Sequence, residues 1–168
     1  MHHICLFIVE ADSREEAEEL ALCAWTGDTA YCAPRWWPPP VRVLCGVKWD
    51  YATTVGKLKL YERQLIEGGV PPSCARRIME RLPRCPHEWD RDDVTVACLD
   101  FPARVSDLGI DAAYAIAAAF NGMGDICLNI LYREDTAIIY SSGLWKLRKL
   151  LNTRSHDKLW LVIVDAHE

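Results

Sequence analysis

Residues 3–10, His3-Ile4-Cys5-Leu6-Phe7-Ile8-Val9-Glu10, carry the reading on which the fold turns. Cys5, Phe7 and Val9 alternate with Ile4, Leu6 and Ile8, and both sets are apolar. A strand formed here is buried on both faces and belongs in the interior of a sheet. The chain closes on a second run of the same kind, Leu159–His167. Two such strands, with helical stretches between them, predict one mixed α and β domain over residues 1–168.

Moving inward from the first strand, Asp12 and Ser13 stop it, and Ser13 with Glu16 makes a capping box that starts a helix. The helix runs to about Ala24, with Ala17, Leu20, Ala21 and Ala24 as its inner stripe and Glu15, Glu16, Glu18 and Glu19 facing water. Periodicity then fails from Trp25 to Asp50, where Arg35-Trp36-Trp37-Pro38-Pro39-Pro40 forces a stiff extended loop. Val41–Val47 reads as a short strand. A helical hairpin is expected over about 52–83, one arm from Thr54 to Glu67 and stopped by Gly68-Gly69, the other capped by Ser73 and stopped before Pro83.

Val94–Phe101 alternates as a strand, Asp111–Phe120 is an alanine-rich helix ended by Asn121-Gly122, and Asp125–Arg133 and Thr136–Tyr140 flank a tight Glu134-Asp135 turn. A helix around Leu144–Leu151 precedes the last strand. Residues 94–167 thus read strand, helix, strand, strand, helix, strand, the ferredoxin-like pattern. The fold class expected is α+β: a mixed, mostly antiparallel sheet with helices packed on it.

At 168 residues, with 51% hydrophobic and 26% charged residues, the chain has the size and composition of a globular domain. The apolar run Ile4–Val9 is too short for a signal sequence and lacks a basic flank, so neither export nor membrane insertion is expected and a cytoplasmic location is. In that reducing compartment the eight cysteines are expected to be thiols, with Cys5, Cys23, Cys98 and Cys127 acting as small buried hydrophobes. Cys74, Cys85 and His87 have poor spacing for zinc, and no metal or cofactor is expected. The charge is uneven. Residues 1–30 carry seven acids against Arg14 alone, a net −6, whereas residues 55–84 carry seven basic residues against three acids, a net +4, on a chain of net charge −5.

The stretches Val9-Glu10-Ala11-Asp12-Ser13-Arg14-Glu15-Glu16-Ala17, Cys45-Gly46-Val47-Lys48-Trp49-Asp50 and Leu161-Val162-Ile163-Val164-Asp165-Ala166-His167 together resemble small uncharacterised proteins encoded by bacteriophages and prophages. The match covers about a fifth of the chain. In that group the middle motif is a glycine pair followed by arginine and tryptophan, and Gly46-Val47-Lys48-Trp49 departs from it. The resemblance implies a mobile-element accessory protein, a kind that often works by binding a host factor.

Three constellations carry chemistry. Arg35, Trp36 and Trp37 have the residue types of interface anchors, and Arg76, Arg77, Arg81 and Arg84 make the hairpin basic, with Arg77, Arg81 and Arg84 spaced to share a face suited to phosphate or an acidic protein surface. If the terminal strands pair antiparallel, His2 or His3 approaches Asp165 and His167, a set able to bind a divalent metal or run acid–base chemistry. No phosphate-cradling glycine loop, nucleophile motif or H-E-x-x-H is present. The expectation is therefore a non-enzymatic protein that binds and inhibits a host protein or nucleoprotein complex, an anti-CRISPR or other anti-defence factor being one form of it. The alternatives are a small metal- or histidine-dependent hydrolase centred on His3, Asp165 and His167, and a nucleic-acid-binding module using the hairpin, against which the net negative charge weighs.

Overall fold

The computed structural model describes residues 2–26, 51–54, 62–81, 101–122 and 127–167. They form an α+β domain in which helices cover a mixed sheet. The order along the chain is β1 (His2–Glu10), α1 (Arg14–Thr26), β2 (Tyr51–Thr54), α2 (Glu62–Glu67), α3 (Pro72–Arg81), β3 (Ala103–Arg104), α4 (Val105–Leu108), α5 (Ile110–Gly122), β4 (Leu128–Glu134), β5 (Ala137–Ser141), α6 (Leu144–Thr153), a 3-10 turn (His156–Lys158) and β6 (Leu159–His167).

The sheet order is β2-β6-β1-β4-β5, with β3 pairing further along the same edge of β6 as β2. β1 is central, antiparallel to β6 and parallel to β4; the other described pairings are antiparallel. The doubly apolar pattern of β1 is the cause. Leu6 and Ile8 enter one core with Leu161, Ile163, Ile116 and Phe120, under α2, α3, α5 and α6. Cys5, Phe7 and Val9 enter a second core with Val162, Val164 and Trp25, under α1. At roughly 2 kcal/mol for each large side chain removed from water, the strand is clamped from both sides. Phe7 and Trp25 meet edge to face, 6.4 Å between centroids and 89° between planes, a geometry the ring quadrupole favours.

Several expectations shift. The Ser13 hydroxyl accepts from Glu16 N at 3.1 Å, but Glu16 reaches back to Asp12 N at 2.7 Å rather than to Ser13. Thr54 belongs to strand β2, so the hairpin does not begin there, and Leu65, Val70, Ala75 and Ile78 embed it in the main core. The β4–β5 turn is Asp135-Thr136, one residue later than expected, with Asp135 at a φ of 53°, a left-handed conformation that aspartate tolerates. In the ferredoxin-like reading, Val94–Phe101 is the neighbour of the last strand. Here β6 has β1 on one side and β2 and β3 on the other, while residues 94–100 lie outside the described residues, as does Val41–Val47.

Glycine does more than end helices here. Gly69, at a φ of 93°, turns the chain between α2 and α3. A Cβ on Gly68 would stand 1.9 Å from the Ala118 carbonyl oxygen, and one on Gly122 would stand 2.7 Å from Gly68 Cα. The expected stop signals are therefore also the point where the hairpin lies against the α5 backbone. No described helix is long and apolar enough to cross a membrane.

Candidate functional site

Helical spacing builds a cleft from three helices. Cys74, Arg77 and Ile78 lie on one turn of α3, Ile110, Asp111 and Tyr114 on one turn of α5, and Arg148, Leu151 and Asn152 on one turn of α6, each set at the spacing of three and four that aligns side chains on a helix face. Together with Val70 and Pro71 they line a cavity of about 470 Å³. Its floor is apolar. Among the described residues its walls carry two guanidinium groups, a phenol, a thiol, an amide and one carboxylate.

The guanidinium groups have neutral partners. Arg77 Nη2 donates to Cys74 Sγ at 3.3 Å, and Arg148 Nη2 donates to Tyr114 Oη at 3.3 Å with its guanidinium 5.3 Å from that ring's centroid. Among the described residues neither lies within 4 Å of a carboxylate. Trp145 extends the Arg148–Asn152 stripe by three residues and is 75% exposed, with the Lys149 ammonium 5.9 Å from its ring; Ile110, on the cleft wall, is 44% exposed. Ile110 is thus an apolar group left in water at the cleft itself, and Trp145 one a helical turn before Arg148 on α6.

The expected arginines separate. Arg77 enters the cleft, while its neighbour Arg76 turns toward α2, with Nε 4.0 Å from Glu62 Oε1. Arg81 ends α3 and only its backbone is described; Arg84 and the stretch Arg35, Trp36 and Trp37 lie outside the described residues, as do Cys85 and His87. Arg148, Tyr114 and Trp145 were not among the expected residues. The signal for Arg148 and Trp145 was present in Leu144–Thr153, which holds Lys146, Arg148 and Lys149 and no acid; nothing in the pattern of Ile110–Gly122 marked Tyr114.

The terminal strands do pair antiparallel, with His2 opposite His167, His3 opposite Ala166 and Ile4 opposite Asp165. Strand alternation therefore places His3 on the other face of the sheet from Asp165 and His167, which share theirs with His2. Only the backbone of these positions is described. Among the described residues no group of three or more His, Cys, Asp or Glu is arranged to hold a metal ion.

A second polar cluster lies where β1 and β4 end. Arg133 bonds Glu16 and stands 3.3 Å from Asp12 Oδ2, Lys158 Nζ lies 2.9 Å from Asp12 Oδ1, and Arg154 Nη1 lies 3.6 Å from Glu10 Oε1. Glu10, only 12% exposed, also accepts from Arg133 N at 2.9 Å. The Lys158 hydrogen bond holds the Asp12 carboxyl below its ordinary range, and Asp12 in turn raises Lys158. Glu16 is thus tied into this cluster rather than simply facing water. Deeper in the same layer, Tyr140 donates to Asn129, and burial, reinforced by Cys5, raises the phenol. Cys5 is fully buried as expected, but Cys127 is only partly buried, and hydrogen bonding with Cys5 draws its thiol down to about 7.

No family model, curated protein or solved structure matches this chain.

Proposed function

We propose that this chain is a non-enzymatic binding protein, of the phage or prophage accessory kind, that engages a host protein or the protein part of a nucleoprotein complex in the host cytoplasm, with inhibition of a defence system such as CRISPR as one outcome. The cleft between α3, α5 and α6 is the observation that carries the binding part of this reading. Two arginines with no carboxylate within 4 Å among the described residues, beside apolar surface and an exposed tryptophan, have the composition of an interface core, in which arginine and tryptophan supply most of the energy. The mobile-element part rests on the resemblance of Val9–Ala17 and Leu161–His167 to phage proteins. The experiment is affinity capture from the native host with the wild type, the double charge reversal Arg77→Glu with Arg148→Glu, and Arg63→Glu on the far face of α2, followed by reconstitution with the purified partner. The expected result is a stoichiometric complex kept by Arg63→Glu and lost by the double reversal. A complex that survives the double reversal unchanged, or no complex at all, contradicts the reading.

A further inference from the structure

We infer that the cleft recognises a peptide segment in which a carboxylate stands next to an apolar side chain, and that Trp145 is the anchor at its rim. This rests on the binding reading above and specifies what is bound. Each guanidinium now holds a bond to a neutral acceptor, Cys74 Sγ or Tyr114 Oη, both at 3.3 Å. Exchange for a carboxylate oxygen replaces a bond to a neutral acceptor with one between opposite charges, and the planar fork of arginine suits bidentate pairing with it.

Charge sets how much anion the cleft accepts. Among the described lining residues, two guanidiniums stand with one carboxylate, Asp111, a net single positive charge. That balance favours one or two carboxylates and opposes a run of phosphates. The apolar floor at Ile78 and Leu151 gives the neighbouring side chain a place to bury, and a volume of about 470 Å³ holds a large residue with room for its neighbours. A single-stranded nucleic acid would want successive aromatic platforms, and Trp145 is the one exposed tryptophan among the described residues.

The test is selection of random peptides of about twelve residues on the full chain, then anisotropy titration of an enriched peptide. The expected sequences place Asp or Glu within two positions of Leu, Ile, Phe or Trp. Changing that acid to its amide weakens binding about 10-fold, Arg77→Gln with Arg148→Gln weakens it about 100-fold, and Trp145→Ala about 10-fold. All three positions are at the surface, and an unchanged melting temperature verifies that the variants fold. Enrichment without acids, affinity indifferent to the two arginines, or displacement of the peptide by oligo-dT at lower concentration than by free acidic peptide overturns the inference. If the double charge reversal abolishes the host complex while the selected peptides lack the acidic and apolar pair, this inference fails and the binding reading stands. If the arginines matter in neither experiment, both fall.

Discussion

Two regions of this molecule gather arginines, and they treat them oppositely. At the ends of β1 and β4, Arg133, Arg154 and Lys158 meet Glu10, Asp12 and Glu16, so three positive groups answer three negative ones drawn from elements far apart in sequence. In the cleft between α3, α5 and α6, Arg77 and Arg148 meet a thiol and a phenol across an apolar floor. The first arrangement is closed: its charges already have their partners and tie α1 to the sheet. The second is open: its guanidinium groups rest on neutral acceptors, the arrangement on which the proposed binding role rests. Net charge alone does not separate them. What separates them is whether, among the described residues, a carboxylate of the same chain lies within 4 Å of the cation.

The comparison can be broken or sharpened in steps of decreasing size. The cleft requires its helices to be fixed, and the fixing point is the contact of Gly68 with the Ala118 carbonyl. Gly68→Ala puts a methyl where only 1.9 Å is available to backbone oxygen, so α2 must move away from α5. Denaturant unfolding should show a loss of about 2–3 kcal/mol; an unchanged midpoint would mean that the hairpin is not seated as described. Truncating the closed cluster comes next. Arg133→Ala leaves Glu16 without its cation and Asp12 with Lys158 alone, while Glu10 keeps Arg154 and the backbone N–H of residue 133, and should cost about 1 kcal/mol. Arg77→Ala and Arg148→Ala, at the open site, should stay within about 0.5 kcal/mol of the wild type. Equal losses at both sites would erase the distinction.

The smallest effect is the pH dependence that the closed cluster contributes. Asp12 has a lowered folded-state pKa, so its contribution is present above the ordinary carboxylate value and fades as pH falls through the depressed one. Lys158 has a raised one, so its contribution is complete below the ordinary lysine value and is lost as pH rises through the elevated one. Both residues are exposed, and the effect should be small and weakened by salt. Asp12→Asn should flatten the acid limb of stability against pH, as measured by thermal unfolding; an acid limb identical to wild type would show that the pair contributes nothing.

The parts of this fold that were legible are those set by local pattern. Apolar runs marked β1 and β6 as buried strands, but whether the two pair antiparallel stayed open in the sequence and is settled by their register. Ser13 and Glu16 marked the start of α1, because a cap is written in four residues. Contacts between distant segments were not legible. Glu16 looked like one of several solvated acids because Arg133, 117 residues away, is invisible to a helix pattern. Gly68 and Gly122 looked like stops because their close approach exists only after α2 and α5 have packed. Arg77 was singled out for charge, but its partner across the cleft, Arg148, lies on a helix whose own basic face was not weighed. The exposed Trp145 was missed for the same reason, since exposure is a property of the packed molecule.

The central claim is that Arg77 and Arg148 act together on a carboxylate of the partner. It is tested most directly by anisotropy titration of one labelled acidic-apolar peptide against four proteins: wild type, Arg77→Gln, Arg148→Gln and the double variant, with Arg63→Gln as the control, since Arg63 is paired with Glu67 at 2.7 Å outside the cleft. The account predicts a loss of about 10-fold for each single variant, about 100-fold for the pair and none for Arg63→Gln. Affinity that is the same for the double variant as for wild type, or that falls equally with Arg63→Gln, would contradict it.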